Sequence, residues 1–250
     1  MNQRLTNEQE LIEHFFESAA KRNFMPESIF KCHMSAMTTF NGDVFLVEKG
    51  PKNELTVLLG DFTGHGLTAA MGTLPVAMIF FKMVSKGASV ERLTRELNEQ
   101  LHRLMPPGLF FTATILQINP ECNKASVWMG GMPECYCFSE QSTLRHLFHS
   151  RRMPLGILQD SAFDDSAEVF NIQENDQIIM YSDGVIEAVN SEDHMFGEDR
   201  LRDVLVTANG EYHSRVLDAL SAFTDNSSQS DDITLIEMTC KKISELKSLP

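Results

Sequence analysis

Short apolar runs closed by turn residues alternate along this chain with longer segments whose apolar residues recur at helical spacing. Runs at 29–37, 44–47 and 55–59 read as strands. Gly50-Pro51-Lys52-Asn53 between the last two predicts an antiparallel hairpin, which makes Asp43 and Asp61 neighbours at one sheet edge. A helix follows Gly66, with Leu67, Ala70, Met71, Leu74, Met78 and Phe81 at helical spacing. Pro75 within it removes a backbone donor and predicts a kink. A second helix opens at the cap residue Ser89, buries Val90, Leu93, Leu97, Leu101 and Leu104, and stops at Pro106-Pro107. Strands resume at 110–118, 125–129 and 136–138, with Gly130-Gly131-Met132-Pro133 as a turn. A short strand at 144–148, a loop at 151–156 and strands at 167–172 and 177–181 come next. Helices over 198–207 and 211–224, a Ser-rich loop and a strand at 233–238 complete the pattern.

Ahead of the strands, residues 6–22 read as a helix: Thr6 and Gln9 have capping-box spacing, and Leu11, Ile12, Phe15, Phe16 and Ala19 form one apolar stripe. That stripe must bury itself, either on the body of the domain or against a second copy in a homodimer. The expected division is therefore an N-terminal linker or regulatory helix (1–25), one folded domain (26–240) and a polar tail (241–250). No internal repeat or long linker splits the body. Strands joined by hairpins and helices in consecutive pairs predict an α+β fold, with antiparallel sheets covered by helix pairs rather than alternating βαβ units.

Composition narrows the function classes. The chain has 250 residues, 42% hydrophobic and 22% charged, ordinary for a soluble globular protein. A formal charge of −14 argues against nucleic acid as a partner. Five cysteines without a signal peptide point to a reducing cytoplasm. Cys135 and Cys137 share one face of a strand and have no second ligand pair at zinc-finger spacing, so they read as packing residues. The uncharged stretch 67–81 has 15 residues, short of the about 20 that a membrane span needs.

Against this background the aspartates stand out. Asp61 ends the apolar run LTVLLGD, Asp183 ends IIMYSD, Asp231-Asp232 opens DDITLIEM, and Asp43 opens DVFLVE. One such strand-end carboxylate is ordinarily a solvated turn residue. Four, drawn from distant parts of the sequence, converge only at one end of a sheet or sandwich, where their repulsion calls for cations. Oxygen donors without His or Cys favour Mg(II), Mn(II) or Ca(II) over zinc. A two-metal centre of that kind activates water and clamps a transferring phosphoryl group.

GDFTGHG (60–66), YSDGVIEAVN (181–190) with FGEDRL (196–201), and SDDITLIEM (230–238) resemble the signature blocks of PPM-type metal-dependent serine/threonine protein phosphatases. The bacterial branch that includes SpoIIE and RsbU is the nearest. NGD (41–43), GGMP (130–133) and MPLGI (153–157) resemble further blocks of that branch, all in the family's order. The resemblance implies a four-layer α-β-β-α sandwich with two Mn(II) or Mg(II) ions at one end. It implies Asp43, Asp61, Asp183 and Asp231 as the catalytic, metal-holding carboxylates and the Phe62 carbonyl as a further ligand. Asp232 is then a supporting or structural residue, and the helices after Gly66 and Ser89 match the branch's regulatory switch pair. Val44-Phe45-Leu46 and Pro75 depart from the pattern; no Arg in the blocks matches a phosphate clamp; and His65 reads as a turn residue or a neighbour of the ligands. The implied role is an output domain in two-component or partner-switching signalling. Its substrate would be a phosphoserine or phosphothreonine protein of the anti-sigma antagonist type. A non-catalytic adaptor of the same fold is the alternative. A two-metal nuclease or other phosphoesterase leaves the ordered blocks unexplained.

Overall fold

In the computed structural model, which describes residues 23–37, 41–64, 66–225 and 227–242, two five-stranded antiparallel sheets form the middle of the molecule. The first has the order β1 (Phe30–Ser35), β10 (Ile233–Thr239), β9 (Gln177–Tyr181), β6 (Cys135–Phe138), β7 (Leu144–Phe148). The second runs β2 (Asp43–Lys49), β3 (Leu55–Phe62), β4 (Phe111–Ile118), β5 (Lys124–Gly130), β8 (Glu168–Asn171). Helices α1 (Leu67–Val84) and α2 (Val90–Leu104) cover the second sheet. The one-turn α3 (Gly184–Glu187), with α4 (Glu198–Thr207) and α5 (Tyr212–Thr224), covers the first. The result is an α-β-β-α sandwich.

The central strands are apolar at nearly every position because both their faces are covered. On β3, Val57 and Leu59 point inward to meet Ile178, Met180 and Ile236 of the facing sheet. Leu58, between them, points outward and packs with Val76, Phe80 and Leu97 of the helices. Each such side chain withdrawn from water contributes about 1.5–3 kcal/mol. Cys135 and Cys137 lie in the inter-sheet core, while Tyr136 faces the outer one.

Three expectations need correction. The apolar stripe read on α1 only partly matches its buried face: Phe81 is buried, but Met71 is 59% and Met78 74% exposed, while Ala69, Val76, Ala77 and Phe80 are buried. A helix apolar on all sides carries no period that selects a face, so packing selects it. Leu104, at the last turn of α2, is exposed although Val90, Leu93, Leu97 and Leu101 are buried. The short helix α3 adds to the expected elements, since four residues carry no helical period. Pro75 does not end α1, which continues to Val84. Ser89 caps α2, its side chain accepting from Arg92 N–H.

The helix expected over 6–22, His65 and the tail beyond 242 lie outside the described residues. Where the described chain starts, Asn23 is bound to the edge of β2. Its side-chain amide donates to Phe45 O (2.8 Å) and accepts from Val47 N–H (3.1 Å). Among the described residues no helix is long and apolar enough to cross a membrane.

Candidate active site

Strand register places the first two carboxylates. Asp43 opens β2 and Asp61 lies next to last in β3, and the two are directly paired. The opposite sheet delivers the others to the same end. Asp183 follows β9 by two residues and precedes α3, while Asp231 precedes β10 by two, and β9 and β10 are hydrogen-bonded neighbours.

A cleft of about 240 Å3 is lined by Asp61, Asp183 and Asp231 together with Thr63, Thr112 and Phe110. Asp43 stands behind it, 5% exposed. The Thr234 hydroxyl donates to Asp43 Oδ2 at 2.6 Å, while Asp43 Oδ1 is buried without a partner. Thr63 closes the cleft floor against the start of β4, its hydroxyl donating to Phe110 O (3.0 Å). Thr112 donates to Asp61 O (3.2 Å) and so braces the strand that carries Asp61. Phe62 follows Asp61 at the end of β3, with its ring 1% exposed.

Asp232, the second residue of the doublet, does not line the cleft. It is 3% exposed and accepts from Met37 N–H (2.7 Å) through Oδ1 and from Gly42 N–H (2.6 Å) through Oδ2. The sequence reading leaves Thr112, Ser182 and Thr234 out of the site. For Thr234 a signal exists: a hydroxyl residue within the apolar run ITLIEM, two positions from Asp232 and therefore on its face.

Burial and crowding oppose ionisation here. Withdrawal from water pushes Asp61 up to about 9, and the charges of Asp43, Asp183, Asp231 and Asp232 add to the effect. Withdrawal likewise pushes Asp43 up to about 7, held lower than Asp61 by the hydrogen bond from Thr234. Asp183 is raised by burial first, then by Asp231 and Glu187. Among the described residues no group of three or more His, Cys, Asp or Glu side chains stands ready to hold a metal ion. The carboxylates share a cleft without closing into a cage. The donor set nonetheless fits hard cations: oxygen atoms only, one of them buried and unpartnered, on carboxylates that raise one another's pKa.

A pH effect on stability follows. A carboxyl whose folded pKa lies above its unfolded value of about 4 binds protons more tightly when folded. The stability it contributes is complete below pH about 4 and is lost as pH rises, through about 7 for Asp43 and about 9 for Asp61. In chelator, the melting temperature of Asp61→Asn should exceed the parent's by a margin that widens from pH 5 to pH 9. Melts at four pH values check this; a margin constant across the range would contradict it.

Comparison with known proteins gives the fold and site a context. Residues 51–241 match the family model described as stage II sporulation protein E (SpoIIE). Phosphoserine phosphatase RsbP of Bacillus subtilis is 23% identical over 213 residues, covering 84% of this chain. The chain spans about half, 51%, of that relative's length. Among solved structures, the SiaA-PP2C domain of Pseudomonas aeruginosa superposes with a TM-score of 0.74 at 13% identity, covering 96% of this chain and 98% of that one. The PP2C phosphatase domain of SpoIIE from Bacillus subtilis gives 0.71 at 16% identity, covering 84% of this chain and 62% of that one. At such identities the solved structures speak for the fold.

Proposed function

The chain belongs to the stage II sporulation protein E (SpoIIE) family, and from that premise we propose that it is a metal-dependent phosphoprotein (serine/threonine) phosphatase. The observation that carries the reading is the pairing of Asp43 with Asp61 across β2 and β3, Asp61 lining one cleft with Asp183 and Asp231 and Asp43 buried behind it. Asp43, Asp61, Asp183 and Asp231, with the Phe62 carbonyl, would hold two Mn(II) or Mg(II) ions. Such ions acidify an attacking water and neutralise charge on the phosphoryl group. Thr63 and Thr112 keep the cleft wall fixed through their bonds to Phe110 O and Asp61 O.

The cleft, about 240 Å3, is smaller than the ~300–1,000 Å3 of sites that engulf a drug-sized ligand. It suits a phosphorylated side chain whose parent protein stays outside. By analogy with the phosphoserine phosphatase relative, the substrate we propose is a phosphoserine or phosphothreonine protein of the anti-sigma antagonist type. The domain would be the output module of a cytoplasmic signalling protein, and free cysteines at every Cys position suit a reducing compartment. The non-catalytic adaptor reading is not favoured, since it gives the crowded carboxylates no task.

The deciding assay is hydrolysis of an aryl phosphate, then of candidate phosphoproteins, with Mn(II) or Mg(II). Activity should require the metal and vanish with EDTA; a rate indifferent to EDTA would sink the reading. The domain division is likewise a proposal: residues 1–25 as a regulatory or dimerising helix, 26–240 as the phosphatase domain and 241–250 as a tail. Phe15→Asp with Phe16→Asp should change self-association or metal-dependent rate without lowering the body's melting temperature. Unchanged sedimentation and rate would make the helix a passive tether.

A further inference from the structure

We infer that Asp232 is the positioning residue that holds the four candidate ligand segments in register, a role that rests on the metal-site reading above. Its side chain spends both oxygens on backbone donors. Met37 N–H and Gly42 N–H, on either side of residues 38–40, donate to Oδ1 at 2.7 Å and Oδ2 at 2.6 Å. Gly42 precedes Asp43, and its carbonyl accepts from Phe62 N–H (3.4 Å), so the tether reaches both strands of the Asp43–Asp61 pair. A methyl group on Gly42 would lie 3.1 Å from Asp61 Oδ1 and 3.4 Å from Asp232 Oδ2, so the two carboxylates converge on that glycine.

The main chain of Asp232 reaches the remaining two. Its N–H donates to Asp231 Oδ1 (2.8 Å), which fixes the rotamer of that cleft residue. Its carbonyl accepts from the Ser182 hydroxyl (3.4 Å) and lies against Gly184, so it touches the chain on both sides of Asp183. Thr234, two residues on and on the same face of β10, donates to Asp43 Oδ2. Residues 232 and 234 therefore bind 42 and 43 in step. The chemistry demands a carboxylate, because it alone offers two acceptor oxygens and no donor. An amide would turn an NH2 towards one of the two N–H groups and lose that bond.

The test uses the full chain, with Mn(II) alone as the probe. In Asp232→Asn the Mn(II) concentration that gives half of the metal-induced rise in melting temperature should increase about tenfold or more, the usual effect of losing a residue that orients metal ligands. The amide of Met37 or Gly42 should exchange with solvent at least about tenfold faster, as expected when one charge-assisted bond is lost. A merely structural role would lower the melting temperature in EDTA and leave the half-saturating Mn(II) unchanged, which would overturn the proposal. Should the variant not fold, the parent decides. Met37 and Gly42 amides protected like the β2–β3 ladder support the tether, and amides exchanging at open-loop rates overturn it. A parent that Mn(II) does not stabilise at all would refute the metal reading instead, while amide exchange still decides whether the tether exists.

Discussion

Asp61→Asn should lower phosphatase turnover by about a thousandfold or more, the scale of removing a group that organises the reacting centre, while the metal-free protein becomes harder to unfold. Both halves follow from the same crowding. Asp61 faces the cleft with Asp183 and Asp231 and is backed by Asp43, and its carboxyl is pushed up to about 9 by burial and by those neighbouring charges. Asparagine keeps the shape and removes the ionisable group. Without cations at pH 8, the folded state must hold this carboxyl protonated while the unfolded chain ionises it freely, and asparagine removes that cost. With cations present, it removes a ligand that a neutral amide replaces poorly. Gain in melting temperature with EDTA, loss of turnover with Mn(II), and a smaller Mn(II)-induced rise in melting temperature together identify a metal-holding carboxylate. A variant within tenfold of the parent's rate would remove Asp61 from the site.

How much of the site is legible in the sequence depends on how local each part is. The pairing of Asp43 with Asp61 is legible because one five-residue turn separates two strands whose apolar runs give their lengths, so the register follows from counting. The approach of Asp183 and Asp231 is legible only through the strand-end pattern and the family resemblance, not through register. It depends on β10 inserting between β1 and β9, which pairs strands from opposite ends of the domain. No local pattern encodes that insertion. The two members of the Asp231-Asp232 doublet are chemically identical in the sequence. What separates their roles are N–H groups 195 and 190 residues away, on Met37 and Gly42. The exposed face of α1 escapes the sequence for the opposite reason: the local pattern is present but equally apolar on every side, so it discriminates nothing. Antiparallel sheets covered by helix pairs follow from the strand and helix periods, whereas the four-layer order comes from the family resemblance.

Gly184→Ala should cost both fold stability and activity, although Gly184 carries no chemistry. An added methyl group would press into the carbonyl oxygen of Asp232 and stand 2.9 Å from its carbonyl carbon. Those atoms belong to the backbone entering β10, so no side-chain rotation relieves the clash. Either α3 moves away from β10, carrying Asp183 with it, or the start of β10 shifts and takes Asp231 and the Asp232 tether along. Overpacking of this kind typically costs about 1–3 kcal/mol and occasionally more. For a chain of 250 residues, about 3 kcal/mol lowers the melting temperature by roughly 6–12 °C. Catalysis should suffer more than stability, by about a hundredfold, because a displacement of about 1 Å at a positioned group has that effect. Thermal melts and Mn(II)-dependent rates on one preparation separate the two. A variant that melts several degrees lower yet turns over at the parent's rate would mean that the approach of α3 to β10 does not position Asp183, and that the cleft is assembled by the β2–β3 pair alone.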